Sequence, residues 1–176
     1  KADVTRVSPI DESQWLIELA DRPAQRFDAV VVCNGHYTQP NRPIIEGALE
    51  SGLKILHAKD YVHPEPYRDQ RVLVWGSKAS GMDLVREIST TAKQVYWCGH
   101  DPDLEALVRD RRNVSIHTDP IRLHTGGVQL ADGEHLAGVD QVLLCTGYQY
   151  QFPFLDDALI TIQDNLIHGL HQHILL

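Results

Sequence analysis

The chain has 176 residues, 43% of them hydrophobic and 23% charged, with a formal net charge of −8. That is enough apolar material for one domain with a substantial core, or for one domain with parts of another. The acidic balance, with no dense Lys/Arg tract, excludes a nucleic-acid surface, and no apolar run approaches the length of a membrane span. Cys33, Cys98 and Cys145 are far apart and form no C-x-x-C pair. Each follows a hydrophobic run, as a small buried residue at a strand end would, and their reduced state fits a cytoplasmic setting. The chain opens on Lys1 rather than Met and is expected to be a piece of a longer protein.

In chain order, Val4–Val7, Trp15–Leu19 and Phe27–Val32 are rich in β-branched and aromatic residues. Turn chemistry at Ser8-Pro9 and Asp21-Arg22-Pro23 separates them, so they read as the end of an antiparallel meander feeding a buried strand. Residues 34–47, with Gly35, Pro40, Pro43 and Gly47, read as a linker. Val72–Trp75 is a strand, and Ser80–Ala92 is a helix with Met82, Leu84, Val85 and Ile88 near helical spacing. Gln94–Cys98 is the next strand. Asp103–Arg109 follows as a short helix capped from Asp101, with Pro102 in its first turn. Val114–His117 is a further strand. Residues 127–136 form a hairpin around Asp132-Gly133, and Gln141–Cys145 is the strand that leads out. The four strands from Val72 onward are expected to share one mostly parallel sheet, with the Ser80–Ala92 helix on one face.

The most informative stretch runs from Arg71 to Val85. An apolar strand enters a glycine turn that opens directly into a helix, the entry of a dinucleotide-binding βαβ unit. Gly76 and Gly81 hold the first and third glycine positions, and Lys78 stands where the second glycine is usual. Helix N-terminal amides receive phosphates at such a turn. The candidate pyrophosphate residues are therefore Gly76, Ser77, Lys78, Ala79, Ser80 and Gly81. Two readings of Lys78 stay open: its ammonium pairs with a phosphate, or its Cβ crowds the close approach.

Flanking segments widen the pattern. Upstream lie residues 27–37, then Pro40 and Pro43, then Leu56-His57-Ala58-Lys59-Asp60-Tyr61. Downstream lie Val139–Tyr148 with Cys145-Thr146-Gly147-Tyr148, and then Phe152-Pro153-Phe154-Leu155. In this order the pieces resemble the flavin-containing monooxygenases, in particular their NADPH-binding domain and its two connections to the FAD domain. The resemblance covers residues 4 to 174. His57 and Tyr61 match the second half of the family fingerprint F-x-G-x-x-x-H-x-x-x-Y, whereas Ser51 and Leu53 replace its Phe and Gly.

The resemblance implies an α/β fold: a Rossmann-like nucleotide-binding domain with a mostly parallel sheet, flanked by strands of an incomplete FAD-type domain. Residues 1–47 would be partial FAD-domain strands and linker, 48–148 the NADP(H)-binding domain, and 149–176 the return segment. The implied cofactors are NADP, with NAD not excluded, and FAD in the parent enzyme. Thr146, Gly147 and Tyr148 match the second linker and join the cofactor-binding candidates. So does His100, which stands where the family commonly places an arginine for the 2′-phosphate of NADP. An imidazole is a poorer phosphate partner than a guanidinium fork. Arg109, Arg111 or Arg112 is a possible substitute, although a solvated helix end is their simpler reading.

The implied partners are a small-molecule nucleophilic substrate, with a soft nitrogen or sulfur atom to oxygenate, and an FAD-binding segment. No second glycine-rich strand-to-helix turn occurs in these residues, so the chain by itself is expected neither to hold FAD nor to oxygenate a substrate. The alternative is a non-catalytic nucleotide-binding or partner-binding module. His168, His171 and His173 lack cysteine, carboxylate or helical i, i+4 support for a metal site. No local signature indicates a Ser-His-Asp nucleophile, and no catalytic residue is assigned.

Overall fold

Alternation along three short strands decides the layering. In Arg71–Trp75, Val72 and Val74 are fully buried in one cluster, while Leu73 is fully buried in another. Val95 and Trp97 follow the first pattern and Cys98 the second; Leu143 and Cys145 follow the first, Val142 and Leu144 the second. A strand whose successive side chains are buried on opposite faces needs cover on both. The computed structural model describes residues 2–101 and 103–171 and supplies that cover.

The chain divides into two compact units. One holds residues up to Gln39 and from Tyr148 onward, and the other is Pro40–Gly147. The larger unit is built on a five-stranded sheet of β1 (Lys54–His57), β2 (Arg71–Trp75), β3 (Gln94–Cys98), β4 (Val114–His117) and β8 (Gln141–Leu144). Its order is β1-β8-β2-β3-β4, and every pairing is parallel. One face packs against helix α1 (Ala79–Ile88), whose buried residues Gly81, Leu84, Val85 and Ile88 form one stripe, with Leu104 of the short helix α2 (Leu104–Val108) beside it. An antiparallel meander, β5 (Pro120–His124), β6 (Gly127–Leu130) and β7 (His135–Ala137), covers the other. Leu123, Val128, Leu130 and Leu136 supply its core contacts.

The expected parallel sheet, its helix and the 127–136 hairpin are all present. Two strands of this unit, β1 and β5, were not legible as such. Helix α1 ends at Ile88 rather than Ala92, because the hydroxyls of Ser89, Thr90 and Thr91 donate to the carbonyls of Arg86, Glu87 and Ile88. Such back-bonding closes a helix. Helix α2 covers only Leu104–Val108; the Asp101 carboxylate accepts from the Asp103 amide at 3.1 Å, and Pro102 lies outside the described residues. Residues 40–47 belong with the larger unit rather than with the flanking strands. Ile45 is buried in its core, and the Leu123 amide donates to the Glu46 carbonyl at 2.7 Å.

In the smaller unit, Val4–Pro9, Trp15–Leu19 and Gln25–Phe27 form the antiparallel meander. The strand expected over Phe27–Val32 stops at Phe27. Val31 is 84% exposed, and Cys33 is exposed rather than buried. A valine run becomes a strand only where neighbours take its backbone hydrogen bonds and cover its faces, and no strand pairs with residues 28–33 among the described residues. A second hairpin, Thr161–Gln163 with Leu166–His168, turns on Asp164 and Asn165, both at positive φ.

Gly76 has φ +121°, and a Cβ there would stand 2.7 Å from the carbonyl carbon of Cys145. Gly76→Val is therefore expected to destabilise the fold by about 3 kcal/mol through overpacking and backbone strain. Urea denaturation followed by circular dichroism reads this, and an unchanged midpoint would contradict it.

Candidate functional site

Parallel strands place their loops at one edge, and in open α/β sheets ligands bind at the carboxyl ends where strand order reverses. Here β3 and β4 lie on one side of β2, and β8 and β1 on the other. Gly76 stands at the end of β2 on this line. Its amide donates to the Cys98 carbonyl at the end of β3 (2.8 Å), while the Cys145 amide beyond β8 donates to Trp75 (2.7 Å). The Gly76 carbonyl accepts from the Trp97 indole Nε1–H at 2.9 Å. Gly81 approaches that same carbonyl so closely that any Cβ would overlap it. The glycine at the third position thus seats the helix on the strand, as the sequence pattern requires.

The helix N-terminus is left open at this edge. Lys78 is the N-cap residue, with extended backbone and no side-chain cap hydrogen bond. Lys78, Ala79 and Ser80 are exposed, while Ser77 and Gly81 are buried beneath them. Amides that begin a helix have no acceptor one turn back, so such an edge accepts an anion. Glycine at position 99 also matters: a Cβ there would lie 2.8 Å from the Ser77 hydroxyl.

Lys78 and His100 both face carboxylates. Lys78 Nζ lies 3.7 Å from Asp101 Oδ2, with its side chain 90% exposed. His100 Nε2 lies 2.9 Å from Asp119 Oδ2, and Asp119 Oδ1 accepts from Trp75 Nε1–H at 2.9 Å. The structure brings Asp119 there from beyond β4, a distance in sequence that no motif spans. Arg111 does not substitute for His100. Its guanidinium donates to the Arg86 carbonyl (3.0 Å) and Ser89 hydroxyl (2.6 Å), at the C-terminal end of α1. A ten-residue helix puts that end about 15 Å from the glycine turn. Arg109 and Arg112 are exposed.

His57 closes the site's other side. It is fully buried; its Nδ1 accepts from the Lys59 amide (3.1 Å), so its Nε2–H donates to the Gly147 carbonyl (3.0 Å). Gly147 (φ +78°) also accepts from the Asn41 amide at 2.9 Å. Thr146 Oγ1 donates to the Asn41 carbonyl at 2.6 Å, and Asn41 Nδ2 returns a bond to the Thr146 carbonyl at 3.2 Å. Asn41, outside the residues singled out from sequence, is thus as central as His57 to fixing Thr146 and Gly147. Asp60 completes the corner: it accepts from the His57 amide and from Arg42 at 2.9 Å, and the Arg42 bond holds its carboxyl below the usual range. Tyr61 stacks on Tyr67 with centroids 5.7 Å apart, and burial followed by the Glu87 carboxylate raises its pKa. Tyr148 belongs to the smaller unit, where its carbonyl accepts from Asn165 at 2.8 Å and its ring meets Tyr37 edge-on.

Burial pushes the Cys145 thiol up to about 12 and raises Cys98 as well, so neither is a thiolate nucleophile. Ser115 Oγ, His117 Nε2 and Glu134 form a hydrogen-bonded chain, 2.7 Å and then 2.9 Å from His117 Nδ1. Ser115 lies within β4 rather than on a turn, and its Oγ also accepts from Gln94 Nε2 (3.1 Å). The chain ties the β6–β7 turn to the outer strand. His168 and His171 are exposed, and His173 lies outside the described residues.

Residues 12–102 and 107–175 match the family described as flavin-binding monooxygenase-like. Flavin-containing monooxygenase FMO GS-OX-like 2 of Arabidopsis thaliana is 34% identical over 99% of this chain, which spans 39% of that relative's length. The solved S-allyl-L-cysteine S-oxygenase of Allium sativum is 33% identical with a TM-score of 0.82, over 98% of this chain and 41% of its own. Tmm from Pelagibacter sp. strain HTCC7211 is 27% identical with a TM-score of 0.78, over 90% of this chain and 36% of its own.

Burial lowers the pKa of His57 below its ordinary 6.5, with the Gly147 hydrogen bond opposing that shift. The unfolded chain then binds more protons at this residue, so its contribution to stability is full above about pH 6.5 and is lost as pH falls below that. Urea stability is expected to drop between pH 7.5 and 5.5 more steeply in the wild type than in His57→Gln. Parallel slopes would contradict the assignment.

Proposed function

This chain belongs to the flavin-binding monooxygenase-like family, whose members use FAD and NADPH, and on that footing we propose that it is the nicotinamide-nucleotide-binding part of an FAD-dependent monooxygenase acting on soft nitrogen or sulfur atoms. The observation that carries this reading is the open N-terminus of α1 over a glycine turn at the strand-order reversal. The exposed Lys78–Ser80 edge fits a pyrophosphate, since a helix start of this kind offers amides and a favourable dipole together. The sulfur side of the substrate class rests on the likeness to the Allium S-oxygenase.

In this reading Ser77 to Gly81 hold the pyrophosphate, and Gly147, fixed by His57 and Asn41, leaves backbone open to close approach. No atom lies within 4 Å of a Cβ built on Gly147. His100 faces the adenosine ribose and its 2′-phosphate. Bound flavin supplies the oxygen chemistry, and these residues contribute binding and orientation. Asp101 and Asp119 compete with a phosphate for Lys78 and His100, and an acid at the end of the second strand of such a domain favours a ribose hydroxyl over a phosphate.

Titrating NADP+ into the chain is expected to move the backbone amide resonances of Ser77 to Gly81 first. Movement confined to residues elsewhere would overturn the proposal. Asp119→Asn keeps an acceptor for the Trp75 indole while removing a charge. It should tighten NADP(H) relative to NAD(H) by on the order of 1 kcal/mol, about fivefold. His100→Arg should favour NADP(H) alone by about 1–3 kcal/mol through a charge-assisted bond to the 2′-phosphate. Lys78→Gly separates the two roles of that residue: weaker binding assigns the ammonium to the phosphate, and tighter binding assigns obstruction. Equilibrium titration of both nucleotides reads all three variants.

A further inference from the structure

The β5–β7 meander carries an arrangement that the nucleotide reading does not use. His124 ends β5 and His135 begins β7, the two outer strands, with β6 between them. Gly127 of β6 pairs with His124, and its missing side chain is what lets the two rings meet. A Cβ on Gly127 would stand 2.8 Å from both Cε1 and Nε2 of His135. The rings stack with centroids 4.5 Å apart and planes within 19°, and the two Nε2 atoms approach to 2.6 Å. His135 is exposed and His124 half-buried, so the nitrogens are reachable from solvent.

Two neutral imidazoles at this distance share one proton, with one nitrogen donating and the other accepting. His124 Nδ1 lies 3.4 Å from the Thr125 carbonyl. A proton on that Nδ1 leaves His124 Nε2 as a bare acceptor, and His135 Nε2–H is then the donor. In that tautomer His124 Nε2 is the accepting nitrogen, and an outer hydrogen bond of this type orients a metal-binding imidazole.

We propose that His124 and His135 form a surface site for a divalent first-row transition-metal ion, with copper(II) held most tightly, bound through both Nε2 atoms and completed by water. The ion replaces the shared proton and sits beside the line between the two nitrogens, since their 2.6 Å gap is too short to hold a metal. The Nε2 proton of His135 passes to solvent and its Nδ1 takes one up, a tautomer exchange that leaves the ring neutral. Metal–imidazole bonds of about 2.0–2.1 Å at a right angle put the nitrogens roughly 3 Å apart, so the pair opens by a few tenths of an ångström and each ring turns until its in-plane lone pair meets the ion. Imidazole suits copper, nickel and zinc, and the first-row series places copper(II) highest. Among the described residues no group of three His, Cys, Asp or Glu side chains converges, so the site offers two protein ligands and open positions.

The test uses the whole chain and copper(II) as the probe, with calorimetry for affinity and electron paramagnetic resonance for the number of bound nitrogens. The wild type should show one site of highest affinity with a two-nitrogen signature. His124→Ala and His135→Ala should each lower that affinity at least tenfold and abolish the two-nitrogen signal, because a single imidazole remains. Both side chains stand at the surface, and circular dichroism confirms that the variants are folded. His168→Ala, outside the pair, should leave affinity and spectrum unchanged. Wild-type affinity or a persisting two-nitrogen signal in either variant of the pair would overturn the proposal, as would loss of the site in His168→Ala.

Discussion

One carbonyl oxygen, that of Gly76, governs the geometry of the larger unit. It accepts the Trp97 indole proton at 2.9 Å, and the backbone of Gly81 lies directly against it. Strand β2, helix α1 and strand β3 therefore meet at one atom. The Gly76 amide binds the Cys98 carbonyl, and a Cβ on Gly76 would press into the Cys145 carbonyl, which brings β8 into the same knot. Two residues lack side chains here for a packing reason before any ligand is considered. The open amides at the start of α1 are a consequence: the helix begins where the contact places it, at the carboxyl edge of the sheet.

The layers follow from that placement. Parallel strands are buried on both faces, and this sheet reaches that state with a helix on one side and a three-stranded antiparallel meander on the other. Both deep thiols, Cys98 and Cys145, are consumed by this packing, and desolvation keeps them protonated. What remains is the edge, where buried hydrogen bonds fix positions and, on the proposed reading, exposed groups recognise the nucleotide. His57 shows the first role, since its ring is fully enclosed and ties the Lys59 amide to the Gly147 carbonyl. Lys78 and His100 show the second.

Both basic groups at that edge stand beside carboxylates. Asp101 neighbours Lys78 and Asp119 neighbours His100, and both pairs are too exposed to matter much to stability. On the proposed reading they bear on selectivity, because a phosphate would displace an acid that a ribose hydroxyl would instead hydrogen-bond. Asp119 is anchored by the Trp75 indole, so it cannot swing away freely. On the proposed reading, cofactor preference is tied to the half-buried Trp75 at the end of β2.

Local chemistry was enough to read the glycine turn, the four parallel strands from Val72 onward, the helix after the turn and the Asp-Gly hairpin. Each is set by residues adjacent in sequence: apolar alternation, a helix start, a turn that only glycine makes easily. The order of short segments likewise carried the family. Non-local partners decided the rest. Phe27–Val32 has strand composition and yet leaves the strand at Phe27, because β structure exists only where another strand accepts its hydrogen bonds. Helix α1 stops early because three hydroxyls turn back on its last carbonyls. Asn41 meets Thr146 across 105 residues of sequence, and Asp119 meets Trp75 across 44. His124 and His135 touch only because Gly127, on the strand between them, has nothing in the way. Sequence determined which segments turn, alternate and begin helices, since those are properties of neighbouring residues; only the tertiary structure decided which side chains meet, since that depends on strand order and on what each close approach leaves room for.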